Sequence, residues 1–218
     1  MRGRGRTALI VLTLAGCQAA DDPVDRSLRP QSSAPLGEAP AWSWLGDQVN
    51  AFMGNTVARA GDVDGDGYDD LLVGSQWYDN GQLDEGVVWL FLGSPAGTAA
   101  APTWFSESDT TDSGHGFNAR GIGDVNGDGF ADVAVPAHRW DNAAGADVGR
   151  VQVFLGSASG LSSTPDWSVE GTQAGENLGW NVAGVGDLDG DGTGDLLVSA
   201  PLFDDGFVAS GRIDLYLG

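Results

Sequence analysis

The chain has 218 residues, a formal net charge of −21 and no lysine, so it lacks the basic surface that a nucleic-acid partner requires. Its 35 glycines follow no three-residue period, which excludes collagen, and a hydrophobic content of 41% excludes a largely disordered chain. The strong negative charge favours bound cations or a highly solvated surface. The length is enough for one substantial domain.

Residues 1–16 have the pattern of a signal peptide. Three arginines precede an apolar run that is too short to span a bilayer. The run leads into Leu-Ala-Gly-Cys at residues 14–17, which resembles the lipobox of bacterial lipoproteins. The resemblance implies that Cys17 is lipidated and that the lipid is the chain's only contact with the membrane. An ordinary secretory signal with an incidental cysteine is the alternative.

Gln18 follows the cysteine, where an aspartate tends to retain Gram-negative lipoproteins at the inner membrane. Its presence therefore implies an extracytoplasmic lipoprotein of the outer membrane or cell surface. Residues 17–39 contain several prolines and almost no bulky apolar side chain, which predicts a flexible tether. The tether would hold a domain at residues 40–218 away from the membrane.

An acidic, glycine-rich motif occurs three times. It reads Gly-Asp-Val-Asp-Gly-Asp-Gly-Tyr-Asp-Asp-Leu-Leu-Val-Gly at residues 61–74 and recurs in register at residues 123–136 and 186–199. The first aspartates of successive copies are 62 and 63 residues apart. A fixed period of this size is the signature of a repeat architecture.

Other elements share this period. Pro-x-Trp recurs at Trp42, Trp104 and Trp167, and an apolar run ending in Leu-Gly recurs at residues 86–93, 149–156 and 211–218. No stretch after residue 40 shows a helical apolar period, so we expect almost no helix. Each unit offers four strand-length segments: one before the acidic loop, one after it, one in the apolar run and a short one at the tryptophan. This arithmetic is typical of β-propeller blades.

The sequence therefore predicts an all-β partial β-propeller of three blades, each with four antiparallel strands. The repeats cover about 40–102, 103–165 and 166–218. An extra tryptophan strand at Trp42 precedes the first blade, and the third blade lacks its outer strand.

Three blades raise a problem of closure, since propellers usually have about four to eight. The sequence is compatible with a truncated chain, with a head-to-tail homodimer in which each Trp42 strand completes the partner's third blade, and with an open arc that has exposed edges. We favour truncation at this point.

The repeat unit resembles the FG-GAP repeat of the integrin α-subunit propeller and its bacterial relatives. The likeness rests on the three Gly-Asp-x-Asp/Asn-Gly-Asp-Gly loops, on the Asp-Leu-Leu-Val-Gly run and on the Phe-Leu-Gly-Ser endings at residues 91–94 and 154–157. It covers roughly residues 40–218. The Phe-Gly and Gly-Ala-Pro elements that give the family its name are degenerate here. The resemblance implies a propeller that acts in adhesion or protein–protein interaction.

The acidic loops have the chemistry of calcium sites. Oxygen ligands at alternating loop positions, with glycines that allow a tight turn, suit Ca²⁺. Positions 1, 3, 5 and 9 of each loop supply side-chain oxygens and position 7 supplies its backbone carbonyl. The three predicted Ca²⁺ sites are Asp62, Asp64, Asp66, Tyr68 and Asp70; Asp124, Asn126, Asp128, Phe130 and Asp132; and Asp187, Asp189, Asp191, Thr193 and Asp195.

An EF-hand is excluded by the position that needs a bidentate glutamate. That position holds Val73, Val135 and Val198, inside a strand and without a flanking helix. A solvated acidic turn is the plain alternative, but it does not require the same oxygens at the same offsets three times. The loops therefore join two strands of one blade, and the second site, with Asn126, should bind Ca²⁺ most weakly.

No motif indicates catalysis. The two histidines, His115 and His138, lie in no metal-ligand spacing and near no nucleophile motif, and His115 occupies the position of the family's phenylalanine. The sequence therefore predicts a protein that is not an enzyme.

Partner binding is expected on the face opposite the acidic loops. In integrins the corresponding face takes part in ligand binding, and aromatic side chains beside polar ones suit contact with a protein or a glycan. The candidate residues are Trp77, Tyr78, Arg139, Trp140 and Phe203. The alternative, which we favour, is that these repeated aromatics pack between blades. The expected function is adhesion or protein interaction at a bacterial surface; the other function considered is a glycan-binding or accessory domain of a larger surface hydrolase.

Overall fold

The computed structural model describes residues 36–37 and 39–218. The predicted signal peptide, Cys17 and most of the tether lie outside the described residues. Trp42–Gly218 form one compact unit. Its regular elements are all strands, so the expected lack of helix holds for the described part of the chain. The same part contains no helix that is long and apolar enough to cross a membrane.

Within residues 39–218, eleven strands form three antiparallel sheets, which are the three blades of a partial β-propeller. The first blade contains β1 (Thr56–Gly61), β2 (Asp70–Ser75), β3 (Val87–Phe91) and β4 (Trp104–Glu107). The second contains β5 (Arg120–Gly123), β6 (Asp132–Ala137), β7 (Arg150–Phe154) and β8 (Trp167–Glu170). The third contains β9 (Val182–Gly186), β10 (Asp195–Ala200) and β11 (Arg212–Tyr216). Each sheet follows chain order, and the third has three strands, as predicted.

The predicted strand at Trp42 is wrong. Residues 42–45 form no strand, because a strand requires a hydrogen-bonded neighbour and no sheet within residues 39–218 pairs with them. The Trp42 side chain nevertheless packs as its equivalents do. It meets Phe91 edge-on at 5.1 Å between ring centroids, Trp104 meets Phe154 at 5.0 Å, and Trp167 meets Tyr216 at 4.9 Å.

Apolar side chains between neighbouring blades form the core. Leu72, Val88 and Leu90 of the first blade are buried against Val133 and Phe154 of the second. Val151 and Val153 of the second blade are buried in the same way against the third. Successive residues of a strand face opposite sides of its sheet, so one side of the second blade packs on the first blade and the other side on the third.

The inner strands approach closely enough to require glycine. β1 lies beside β5, and β5 lies beside β9. A Cβ added to Gly121 of β5 would lie 2.1 Å from the carbonyl oxygen of Ala60, and one added to Gly184 of β9 would lie 2.4 Å from that of Ile122. At the equivalent position of β1 the chain has Arg59, whose side chain is exposed.

Candidate calcium loops and the opposite face

The first aspartate of each acidic loop organises the turn. Asp62 accepts hydrogen bonds from the backbone N–H groups of Asp66, at 3.0 Å, and Gly67, at 2.8 Å. Asp124 and Asp187 accept the corresponding bonds in the other two loops. Glycines with positive φ, such as Gly65 at 74° and Gly67 at 89°, let the backbone turn back towards this carboxylate.

The aspartate at position 9 ties the loop to the rest of its blade. One oxygen of Asp70 accepts the N–H of Val63 at 2.9 Å, and the other accepts the N–H of Gly93, just after β3, at 2.7 Å. Asp132 and Asp195 repeat both contacts. All three aspartates are buried. Each loop is therefore anchored at the end of its blade's third strand.

Burial changes the acidity of these aspartates. It raises the pKa of the Asp70 carboxyl, and it raises that of Asp132 to about 6; the hydrogen bonds from backbone N–H groups oppose this rise, while neighbouring loop aspartates add to it. A bound cation would offset the repulsion between these carboxylates and favour their charged forms.

Carboxylate oxygens converge in two of the three loops. Oxygens of Asp62, Asp64 and Asp70 lie within 4.8 Å of one another, and so do oxygens of Asp187, Asp189 and Asp191. In the second loop the Asn126 amide donates to Asp128 at 2.9 Å. These all-oxygen sets at alternating positions fit a hard cation with many ligands such as Ca²⁺. At its ligand positions the second loop offers one carboxylate fewer than each of the others.

Position 7 of the second and third loops has a packing role that the sequence did not reveal. A Cβ added to Gly65 of the first loop would lie 2.7 Å from the ring of Phe130, the position-7 residue of the second loop. Likewise, a Cβ on Gly127 would lie 3.4 Å from the Thr193 side chain. In the second and third loops the side chain at position 7 thus packs against the preceding loop, while the carbonyl of position 7 is the predicted ligand.

The candidate ligand residues lie in the loops between second and third strands, at the opposite end of each antiparallel sheet from the acidic loops. Tyr78 packs edge-on against Trp89 of β3 at 5.1 Å, and Arg150 of β7 stacks 3.4 Å above the centroid of Trp140. Phe203 and Arg212 repeat this stacking at 4.2 Å. Tyr78 and Trp140 thus contact the third strands of their own blades, and Phe203 also packs against the apolar cluster that the second and third blades share.

Two further candidate residues lie on this face. Trp77 packs against Phe52 at 4.9 Å, and Arg139 forms ion pairs with Asp112 at 2.5 Å and Asp147 at 3.7 Å. All five predicted residues are therefore on one face, but they are spread over three blades and do not form a single cluster.

A compact aromatic cluster on the same side was missed by sequence reasoning. His138 lies 4.7 Å from Phe117 and 5.0 Å from Trp180, and the latter two rings are 5.6 Å apart. Phe117 and Trp180 occupy equivalent positions just before β5 and β9, so their common offset from the acidic loops was the available signal. Trp180 is partly exposed.

Both histidines are uncharged at neutral pH. Burial lowers the pKa of His115 to about 3, and that of His138 to about 4. His115 is fully buried, and its Nε2 lies 3.0 Å from the Ser106 hydroxyl of the first blade. It is a packing residue at the junction between the first two blades.

Comparison with known proteins identifies the repeats. The FG-GAP repeat family matches residues 53–91, 121–154 and 178–216. Integrin alpha-IIb of Mus musculus is 32% identical over 197 residues, which cover 78% of this chain and 19% of that protein. Integrin alpha-PS2 of Drosophila melanogaster is 34% identical over 186 residues, covering 77% of this chain and 13% of that protein. This chain spans less than a fifth of the length of these relatives.

Proposed function

The chain belongs to the FG-GAP repeat family, and from this membership we propose that it is an extracytoplasmic, calcium-binding β-propeller that acts in adhesion or protein interaction. The observation that carries the proposal is the acidic loop, which recurs three times with the same hydrogen bonds and has convergent carboxylate oxygens in two of its copies. The calcium is structural: it stabilises one face of the scaffold, and the partner binds on the other.

The ligands of each Ca²⁺ are the side-chain oxygens at positions 1, 3, 5 and 9 and the carbonyl at position 7. Eleven carboxylates occupy the ligand positions of the three loops. They repel one another strongly without a cation, so bound calcium stabilises the folded state by offsetting this electrostatic repulsion. Extracellular calcium modules bind with dissociation constants of roughly 0.1–1 mM.

Calorimetric titration of the full chain tests the calcium proposal. We expect three sites, and each of Asp66→Asn, Asp128→Asn and Asp191→Asn should weaken one of them. Asp205→Asn is the matched control, since it removes the same charge from an exposed residue outside the loops. The second site should be weakest. Affinities and a stoichiometry that none of the three loop variants changes would refute the assignment.

The proposed membrane anchor is a lipid on Cys17. It rests on the Leu-Ala-Gly-Cys motif behind a basic and apolar leader. Labelling of producing bacteria with a radioactive fatty acid should mark the protein, and Cys17→Ser should abolish the label because the chain has one cysteine. A fully labelled Cys17→Ser protein would exclude this anchor.

The ligand surface is proposed on the face opposite the acidic loops, and a protein ligand is the first candidate. Arg139→Ala should reduce binding to an array of surface and matrix proteins without changing the melting temperature, because Arg139 is only half-buried. Asp205→Asn again serves as a control. A glycan array distinguishes the second candidate, which the partly exposed Trp77 and Trp180 favour. Specific glycan binding with no protein ligand would support a glycan-binding or accessory domain.

The proposal of a head-to-tail homodimer has one observation for it and one against it. Val57 and Ile213, at the two ends of the blade array, are 66% and 72% exposed. A head-to-tail dimer would bury both of these apolar side chains. Arg59 opposes the proposal, because blades with a preceding neighbour have Gly121 or Gly184 at this position. A dimer therefore needs a junction unlike those inside the chain. Light scattering with Ca²⁺ that gives the 22.4 kDa mass of one folded chain would exclude it.

A further inference from the structure

A groove lies between the outer parts of the first and second blades, and we name it the first-junction groove. It follows β4 from Thr103 to Asp109, and β7 and residues 163–165 line its other side. Its volume is about 500 Å³. Small-molecule sites usually measure roughly 300–1,000 Å³, so the groove is large enough for a small ligand.

Two aromatic side chains form the floor of the first-junction groove. The rings of Trp104 and Phe154 meet edge-on at 5.0 Å between centroids, and Phe154 is buried. The Trp104 indole N–H also donates to the carbonyl of Ser162 at 2.9 Å. These contacts hold both rings in place without a ligand, so the groove has a preformed apolar floor.

Gln152 of β7 brings a polar group to this floor. Val151 and Val153 are buried against the third blade, so the alternating residue Gln152 faces the first blade. The Gln152 side chain is partly buried, and within residues 39–218 it forms no hydrogen bond. A side-chain amide has both donors and an acceptor, and here they are available to a ligand.

The other two blades use this strand position differently. Trp89 of β3 is covered by Trp44, whose ring lies 5.1 Å away, centroid to centroid. Asp214 of β11 accepts a hydrogen bond from the Nε of Arg212 at 2.9 Å. Gln152, unlike either equivalent residue, presents an unpaired polar group to a groove.

The remaining lining residues indicate the class of ligand. Hydroxyl groups of Thr103, Ser163 and Thr164 and the carboxylates of Glu107 and Asp109 line the groove. Its lining, which lies within residues 103–165, contains no arginine or histidine to offset the charge of an anion. Hydroxyls and amides both donate and accept, and carboxylates accept from hydroxyl donors. This lining suits a neutral molecule with many hydroxyl groups and an apolar face.

We propose that the first-junction groove binds a neutral sugar residue of a glycan. The apolar face of the sugar ring packs on Trp104 and Phe154. The Gln152 amide exchanges hydrogen bonds with the sugar hydroxyls, and the two carboxylates accept further bonds from them. The site contains no residue of the acidic loops and none of the five candidate ligand residues, so it does not depend on the proposed function.

The test uses the full ¹⁵N-labelled chain with Ca²⁺ and, as probes, the methyl glycosides of glucose, galactose, mannose and N-acetylglucosamine. The Trp104 indole N–H signal, assigned by its loss in Trp104→Phe, should shift saturably with at least one of them at millimolar concentration. Gln152→Ala should weaken this binding about tenfold, since the amide hydrogen bonds to the sugar are lost.

Two further variants separate sugar binding from general effects. Thr164→Val replaces the hydroxyl of an exposed lining residue and should also weaken binding. Gln76→Ala is the matched control, because it truncates a partly buried glutamine outside the groove, and it should leave the affinity unchanged. Equal melting temperatures of the variants and the wild type show that each one folds.

An organic cation is the alternative ligand that the two carboxylates allow, and agmatine serves as its probe. Binding of a neutral glycoside should persist in about 1 M salt, whereas binding of a cation should be lost there and in Asp109→Asn. Agmatine binding of that kind without glycoside binding would overturn the proposal. The absence of a saturable shift with all four glycosides, or equal affinities of wild type and Gln152→Ala, would also overturn it.

Discussion

The junctions inside the chain and the two ends of the blade array use the same strand positions in different ways. Val88 and Leu90 of the first blade are buried under the second, and Val151 and Val153 of the second under the third. Their equivalents in the third blade, Ile213 and Leu215, are 72% and 47% exposed. The comparison teaches that β11 has apolar side chains at the same positions where β3 and β7 pack against a following blade.

The opposite end differs. At the first blade, Arg59 stands where junctions have glycine, and Trp42 and Trp44 cover the outer strands by packing on Phe91 and Trp89. Large aromatic side chains and one charged residue thus replace a neighbouring blade. The first end is thus partly covered by its own aromatic side chains, although Val57 is 66% exposed, whereas the third blade exposes Ile213 and Leu215 of β11.

Truncating a junction leucine should have the largest effect. Leu90→Ala should lower the free energy of unfolding by about 2–5 kcal/mol, because it leaves a cavity between two blades. Leu215→Ala, its equivalent at the exposed end, should cost less than about 1 kcal/mol. Urea denaturation of both variants in Ca²⁺ measures the difference. Equal losses would show that Leu215 is covered in solution.

The second largest effect is expected where a Cβ is added at the close contact between β1 and β5. Gly121→Ala should destabilise the protein by about 3 kcal/mol, because the new Cβ would meet the backbone of β1 and the blades must separate. Arg59→Ala, at the equivalent position of the first blade, should change stability by less than about 0.5 kcal/mol. Thermal unfolding compares them. A large loss for Arg59→Ala would mean that this end has a partner.

The junction histidine should make stability depend on pH. His115 stays neutral in the folded protein down to a pKa of about 3, while in the unfolded chain it is protonated below about 6.5. The unfolded state therefore binds more protons as the pH falls, and between pH 6.5 and 4.5 His115 should cost about 2–3 kcal/mol of stability.

His115→Met, which introduces the residue that the first blade has at this position, should remove that part of the pH dependence. Denaturation at both pH values in saturating Ca²⁺ provides the measurement. If wild type and variant lose the same stability over this range, the histidine is accessible to protons in the folded state.

The smallest effect concerns the indole hydrogen bonds. Trp104→Phe removes the donor to the Ser162 carbonyl and should cost about 1 kcal/mol. Trp167→Phe should cost less than about 0.5 kcal/mol in the protein alone, because its indole N–H forms no such bond within the described residues. Chemical denaturation distinguishes the two variants, and a larger loss for Trp167→Phe than for Trp104→Phe would contradict this difference in hydrogen bonding.

The sequence was sufficient for the blades and the loops, because both depend on local patterns. Asp62 to Asp70 specify their own turn through bonds to nearby N–H groups, and the strand alternation of β7 is visible in Val151 and Val153. The period then fixes the order of strands in each sheet. These features need no knowledge of which residues meet across blades.

The remaining features depend on contacts between repeats. The sequence gives no sign that Phe130 packs on Gly65 of another loop, or that Tyr78 and Trp140 contact the third strands of their own blades. Trp42 was predicted as a strand because its motif equals those of Trp104 and Trp167. The shared Pro-x-Trp motif could not show that no sheet within residues 39–218 is available to pair with the segment at Trp42.

The tryptophan contacts have a consequence for engineering with these repeats. Trp104 is hydrogen-bonded into one sheet but packs on Phe154 of the next. The smallest transferable module is therefore one sheet together with the fourth strand of the preceding blade, which carries the tryptophan. Such a module begins at the Pro-x-Trp motif. Arrays assembled from segments that begin there keep every aromatic pair intact, whereas segments cut at sheet boundaries would begin with an uncovered third strand.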